Sequence, residues 1–278
     1  MNPPPRLAVD SRPAGCHRRP MRHHCPFLLP ALAALAALVH APRVSATEAR
    51  VFRDESGGAL PYRWHAPTAP EPGRRYPLVL FLHGAGERGD DNQAQLRHGV
   101  PDILKWADQH AEPCFLIAPQ CPAEEWWAAI DRQTKEAPAR AEATAPMRRV
   151  LALLEQVARE HPVDPARLYV TGLSMGGFGT WFLLATVPER IAAAVPVCGG
   201  GNPASAPAFS KVPVWVFHGA RDEVVPVASS RNMVEALRKA GGNPKFTEYP
   251  EAHHDSWTAT YRDPEVLRWM FQQRRPAK

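Results

Sequence analysis

Residues 169–178 read YVTGLSMGGF. An apolar, β-forming run (Leu168, Tyr169, Val170, Thr171) meets Gly172, then a serine, then Gly176 and Gly177, and a helix-compatible segment follows over 178–185. The bare G-x-S-x-G pattern is weak because short Gly/Ser patterns arise by chance. Placed between a strand and a helix it reads as a nucleophile elbow, a sharp turn that exposes the serine hydroxyl at the carboxyl end of a strand. Only residues without bulk fit beside such a turn, hence Gly172 and Gly176.

Working outward from that turn, the chain alternates strand and helix patterns. Two short strand patterns, 50–53 and 60–64, flank the turn Ser56-Gly57-Gly58. Residues 76–82 (YPLVLFL) form a continuous apolar run of the buried, parallel type, ending in His83-Gly84-Ala85-Gly86. Periodicity predicts a helix over 92–109, a strand over 114–118, an irregular stretch over 119–146 and a helix over 147–160. Beyond the serine come strands over 192–197 and 212–218, a helix over 227–239 closed by Gly241-Gly242, a strand over 245–249 and a final helix over 263–272. The expected fold is therefore α/β: a single domain with a mainly parallel sheet, helices on both faces and an antiparallel N-terminal edge.

The formal net charge of +5 does not describe that domain. The first 46 residues carry six arginines (Arg6, Arg12, Arg18, Arg19, Arg22, Arg43) against one acid, Asp10, a balance of +5 that accounts for the whole excess. The remaining residues sum to zero, and nothing supports nucleic-acid binding. A basic stretch ending at Arg22, an apolar run over 26–39 and the small residues Val44-Ser45-Ala46 read as a secretory leader cleaved before Thr47, with Met21 as an alternative start. The apolar run is short of the about 20 residues needed to span a bilayer. The expectation is export to the periplasm or the medium with no membrane attachment after cleavage; an uncleaved leader acting as an anchor is the alternative. The expected domain is then 47–278, long enough for one core.

Three cysteines lie beyond the leader: Cys114, Cys121 and Cys198. A Cys121–Cys198 bridge is judged less favoured than free thiols, because the strands they follow are expected to lie apart. The sequence has no C-x-x-C and no H-E-x-x-H, so no metal and no cofactor is expected.

A serine hydroxyl is a poor nucleophile near neutral pH. It needs a histidine to take its proton, and the histidine needs a carboxylate to fix its tautomer. The chain supplies all three in the order serine, acid, histidine, each on a loop after a different strand. After the strand over 212–218 comes Gly219-Ala220-Arg221-Asp222-Glu223, where Asp222 is the candidate acid and Glu223 its nearest competitor. After the strand over 245–249 comes EAHHDSW (251–257), where His253 and His254 are adjacent and spacing does not separate them. His83 and His218 each end a strand before a glycine and read as packing residues. Two backbone donors are needed for an oxyanion. One is the amide of Met175, directly after the serine; the other comes from the Gly84-Ala85-Gly86 loop, with Ala85 the candidate and Gly86 the alternative.

Five blocks now occur in order: LHGAGERGDDN (82–92), APQCP (118–122), GLSMGG (172–177), HGARDEVVP (218–226) and HHDSW (253–257). Together they resemble the bacterial carboxylesterase-like α/β-hydrolases, variously described as phospholipase/carboxylesterase, dienelactone-hydrolase-like or prolyl-oligopeptidase-like predicted peptidases. The resemblance covers 50–273. It implies Ser174 as nucleophile, Asp222 as acid and, because the family's histidine stands two residues before Ser-Trp, His254 as base. Where relatives often have Gly before that histidine, this chain has His253.

Trp126 and Trp127 lie in the long stretch 119–146, and segments of that length inside a compact domain tend to be functional. Both are candidates for lining the acyl or alcohol pocket, with a place in the core as the alternative; Trp257, three residues beyond His254, is a further candidate, its alternative being the start of the final helix, packed beneath the histidine. The expected activity is hydrolysis of a carboxylic ester, either a small molecule or one linked to a polysaccharide. A serine peptidase with the same triad and a non-catalytic binding protein on the same fold are the alternatives.

Overall fold

A computed structural model describes residues 47–130 and 142–276. The leader and its cleavage region lie outside the described residues, as does 131–141 within the long stretch. Eight strands form one sheet in the order β1-β2-β4-β3-β5-β6-β7-β8. They are β1 (Glu48–Arg53), β2 (Ala59–His65), β3 (Tyr76–Leu82), β4 (Phe115–Pro119), β5 (Val163–Leu173), β6 (Ile191–Val197), β7 (Trp215–Gly219) and β8 (Lys245–Tyr249). β2 runs antiparallel to both β1 and β4, and every pairing from β4 to β8 is parallel. The expected fold class, including the antiparallel N-terminal edge, is the observed one.

The continuous apolar runs occupy the centre of the sheet. Every residue of β3, β4 and β6 is buried, as a strand covered on both faces requires. Alternation along β3 assigns each side chain to a face. Leu78, Leu80 and Leu82 join one core with α2 (Ala145–Glu160), α3 (Met175–Thr186) and α4 (Ala228–Lys239). Val79 and Phe81 join a second core with α1 (Val100–Gln109), α5 (Trp257–Arg262) and α6 (Pro264–Gln272).

Helix α2 shows how local signals set an element. Its buried Met147, Val150, Leu153, Leu154 and Val157 recur at three- and four-residue spacing. The hydroxyl of Thr144 accepts from the Met147 amide at 3.3 Å and Pro146 lies in the first turn, so the helix starts two residues before the predicted 147. Helix α3 differs. Its residues from Met175 to Leu184 are buried all round, so it is held by the core and not by amphipathic patterning.

The predicted helix over 92–109 needs correction. Only Val100–Gln109 is α-helical; ahead of it stands a single 3-10 turn, Ala94–Leu96, and Gly99 sits at φ 72°. Asn92, itself at φ 51°, is held by Gln120, whose side-chain oxygen accepts from its amide at 2.6 Å. Asp91 then accepts from the amides of Gln93 and Ala94. Side chains that satisfy the backbone locally compete with helix formation there. The predicted final helix over 263–272 is preceded by a separate helix, α5, that begins at Trp257 and ends at Arg262.

Candidate active site

Strands β3, β5, β7 and β8 present their carboxyl ends at one edge of the parallel sheet, and each delivers one part of the site. Ser174 joins β5 to α3 at φ 52°, ψ −116°, a left-handed conformation that non-glycine residues adopt at a cost. It persists because the surroundings leave no choice. The Ser174 amide donates to Val197 O at 2.9 Å, and α3 passes so close to β3 that a Cβ on Gly176 would stand 1.9 Å from Leu82 O.

The loops after β7 and β8 are clamped together by backbone hydrogen bonds. The Ala220 amide donates to Tyr249 O at 2.9 Å and the Arg221 amide to Ala252 O at 3.0 Å. That clamp brings Asp222 to His254. Nδ1 of His254 donates to Asp222 Oδ2 at 2.7 Å, which leaves Nε2 unprotonated to accept from Ser174 Oγ at 3.0 Å. His253, the neighbour that spacing did not separate, is exposed. Glu223, the competing acid, is exposed as well, whereas the Asp222 side chain is 0% exposed.

Burial on its own would raise the pKa of Asp222, but its hydrogen-bond partners win and hold it well below the usual carboxylate range. Oδ1 accepts from the amides of Val224 and Val225, both at 2.9 Å. Oδ2 takes His254 Nδ1–H and also lies 3.2 Å from Nε2 of His218. His218, read from sequence as a packing residue, is thus in contact with the acid. The signal available was its spacing, four residues ahead of Asp222, on a buried strand end.

On the opposite flank, Ala85 opens a 3-10 turn, Ala85–Glu87, at the end of β3, and β3 pairs with β5 up to Leu82–Gly172. Met175 is the first residue of α3. Their amides therefore belong to adjacent strand ends on either side of the elbow. Several side chains brace the Ala85 loop. Arg88 Nε donates to Ala85 O at 2.9 Å, and the buried Glu87 carboxylate pairs with Arg97 at 3.5 Å and with His98 at 3.8 Å. His83 Nδ1 donates to Gly84 O at 2.6 Å while Nε2 accepts from the Cys121 amide at 2.9 Å. Burial pushes the His83 pKa down to about 4, so the ring is neutral there.

The three tryptophans divide. Trp127 is fully buried, its indole N–H donating to His83 O at 3.1 Å, so it packs beneath the site and does not line it. Trp126 is half-buried with the Arg88 guanidinium 5.4 Å from its ring centroid. Trp257 stands edge-on to the His254 ring at 5.3 Å and also faces His98 at 5.5 Å.

Cys114, Cys121 and Cys198 are buried free thiols. Among the described residues, one group offers three metal-ligand atoms within 4.8 Å of one another: Cys198, Asp222 and His254. Its chemistry suits a cation poorly. Asp222 already has its donors, and burial pushes the Cys198 thiol far above its ordinary range.

Comparison with known proteins places this geometry. Residues 67–263 match the family described as Phospholipase/Carboxylesterase. The chain belongs to that family. It is 36% identical over 108 residues to a putative carboxymethylenebutenolidase of Methylorubrum extorquens, covering 36% of this chain and 37% of the relative. It is 32% identical over 73 residues to a bifunctional acetylxylan esterase/xylanase of Neocallimastix patriciarum, covering 26% of this chain and 11% of that protein. A solved thermostable esterase superposes with a TM-score of 0.76 at 40% identity, over 82% of this chain and 63% of the other. The chain thus spans well under two thirds of the length of these two curated relatives. Among the described residues, no helix is long and apolar enough to cross a membrane.

Proposed function

We propose that this family member is an exported serine hydrolase that cleaves carboxylic esters through an acyl-enzyme on Ser174. The observation that carries the reading is His254, whose two ring nitrogens bridge Ser174 Oγ at 3.0 Å and Asp222 Oδ2 at 2.7 Å. In the first half-reaction Oγ attacks the ester carbonyl as Nε2 takes its proton. Asp222, fixed by the Val224 and Val225 amides, holds the tautomer that leaves Nε2 free and stabilises the imidazolium that forms. The tetrahedral oxygen is received by the amides of Met175 and Ala85, each worth about 3 kcal/mol when aimed at the developing charge. His254 returns the proton to the departing alcohol. In the second half-reaction it activates a water in the same way, releasing the acid and restoring Ser174.

Trp126 and Trp257 are the proposed walls of the substrate site, since both are only partly buried and Trp257 contacts the base. The substrate class is a small acyl ester or an ester carried on a polysaccharide. The leader expected over 1–46 supports a substrate outside the cytoplasm, and the acetylxylan esterase relative supports the polysaccharide arm.

The test is turnover by the purified 47–278 protein of p-nitrophenyl acetate, longer p-nitrophenyl esters and a peptide anilide. Ester turnover that Ser174→Ala abolishes, with the anilide untouched, is the expected result. Anilide cleavage would make the protein a peptidase, and no turnover of any acyl substrate would make it a binding protein on a hydrolase fold.

A further inference from the structure

His218 is the penultimate residue of β7, and its side chain is wholly buried. Its ring is fully engaged. Nε2 lies 2.9 Å from Val225 O and 3.2 Å from Asp222 Oδ2. A carbonyl and an ionised carboxylate only accept, so Nε2 must carry a proton, which the two oxygens share. On the other side Nδ1 meets Ser230 Oγ at 2.7 Å, and that hydroxyl also reaches Gly199 O at 3.0 Å. Ser230 is buried in α4. Whichever of those two partners the hydroxyl proton favours, Nε2 remains a donor.

We infer that His218 is a positioning residue for the acid: its Nε2–H and the Val225 carbonyl that shares it fix Asp222 Oδ2 in the orientation that receives His254. The inference rests on the reading of Ser174, His254 and Asp222 as a triad and adds a fourth member to it. The arrangement is tied through the backbone as well. Val225 gives its amide to Asp222 Oδ1 and its carbonyl to His218, so the loop closes on itself around the carboxylate. Both ring nitrogens of a buried histidine need partners in any case; what sets His218 apart is that one of its partners is the Asp222 carboxylate.

The positive edge of the His218 N–H also drains charge from Asp222, and this gives a functional consequence. With less charge on the carboxylate, the His254 imidazolium is less stabilised and the base stays free to a lower pH. The other ionisable or polar groups facing this cluster are the Cys198 thiol from the end of β6, Glu248 of β8, Asp255 beside His254, Ser230 of α4 and the nucleophile itself. None of them offers Asp222 a second imidazole N–H.

The experiment compares pH profiles of kcat/KM for p-nitrophenyl acetate in the unaltered enzyme, His218→Met and His218→Gln. Methionine removes the donor at similar volume, and glutamine restores an N–H at about the reach of Nε2. His218→Met is expected to lose about tenfold in kcat with KM unchanged, and its acid limb is expected to move to higher pH by about half a unit to one unit. His218→Gln is expected to return both towards the unaltered enzyme. An acid limb that stays in place in a folded His218→Met variant overturns the inference, as does a glutamine variant no better than the methionine one. Should His218→Met fail to fold, spectra of the unaltered protein labelled with 15N-histidine decide the matter. His218 Nε2 is expected to be protonated throughout about pH 5 to 9, and an unprotonated Nε2 overturns the proposal. Ser174→Ala separates the two readings: if it keeps its activity the triad itself fails, whereas an inactive Ser174→Ala beside unperturbed His218 variants removes only the fourth member.

Discussion

His83 and His218 look alike in the sequence, each closing a buried strand and each followed by glycine, yet they do different work. The hydrogen bonds of His83 go to backbone alone, its ring donating to Gly84 O and accepting from the Cys121 amide, while Trp127 packs against it. Burial keeps it neutral, and what it steadies is the loop that carries Ala85. His218 faces a carboxylate, and its proton is shared with Asp222. The same strand-end geometry therefore braces the loop of the proposed oxyanion donor Ala85 in one case and the proposed acid Asp222 in the other. What a buried histidine does is set by whether its neighbours can ionise.

Ser174→Ala is expected to lower kcat by about 10⁴-fold or more without a change in melting temperature, measured on p-nitrophenyl acetate. Asp222→Asn is expected to cost about as much, roughly 10³- to 10⁴-fold, because the amide can hold the wrong tautomer of His254. A small loss there would mean that His218 has no acid to position.

The His83 side is broken by stability and not by rate. Its folded pKa, about 4, lies below the ordinary 6.5 of an unfolded histidine. The unfolded chain therefore binds the proton first as the pH drops. This group's contribution is complete above about pH 6.5, is lost as the pH falls towards 4 and amounts to roughly 3 kcal/mol. His83→Gln keeps an acceptor for the Cys121 amide but cannot titrate. Its melting temperature is expected to fall less steeply than that of the unaltered protein between pH 6.5 and 4, as read by calorimetry; parallel curves would contradict a neutral, buried His83. The smallest effect belongs to His253. It is exposed beside the base, and His253→Ala is expected to leave kcat/KM within about twofold. Equal losses at 253 and 254 would reverse the assignment of the base.

Much of this was legible in the residues. The alternation of apolar runs with amphipathic segments specifies a mainly parallel sheet, because strands buried on both faces carry no polar alternation. Ser174 and Asp222 were readable from the turn and loop chemistry that follows a strand. Spacing did not separate the histidines, since 253 and 254 are adjacent; the resemblance pointed to 254, and the loop, pulled in by Arg221 and Ala252, turns that ring to Asp222 and Ser174. Trp126 and Trp127 posed the same difficulty, with neighbouring side chains pointing to different environments. The late start of the helix, at Val100, was hidden because Asp91 and Gln120 satisfy the backbone of 92–94 from outside the segment. The contact between His218 and Asp222 was missed because it depends on how the loop after β7 folds back, which the spacing of the two residues does not show.

Whether His254 makes Ser174 a nucleophile is tested most sharply by covalent trapping. A fluorophosphonate added to the purified protein should give one adduct, located by mass spectrometry on the peptide containing Ser174. Its rate of formation should fall by orders of magnitude in His254→Ala and hardly at all in His253→Ala. An unmodified Ser174, or a labelling rate indifferent to the loss of His254, would contradict that role.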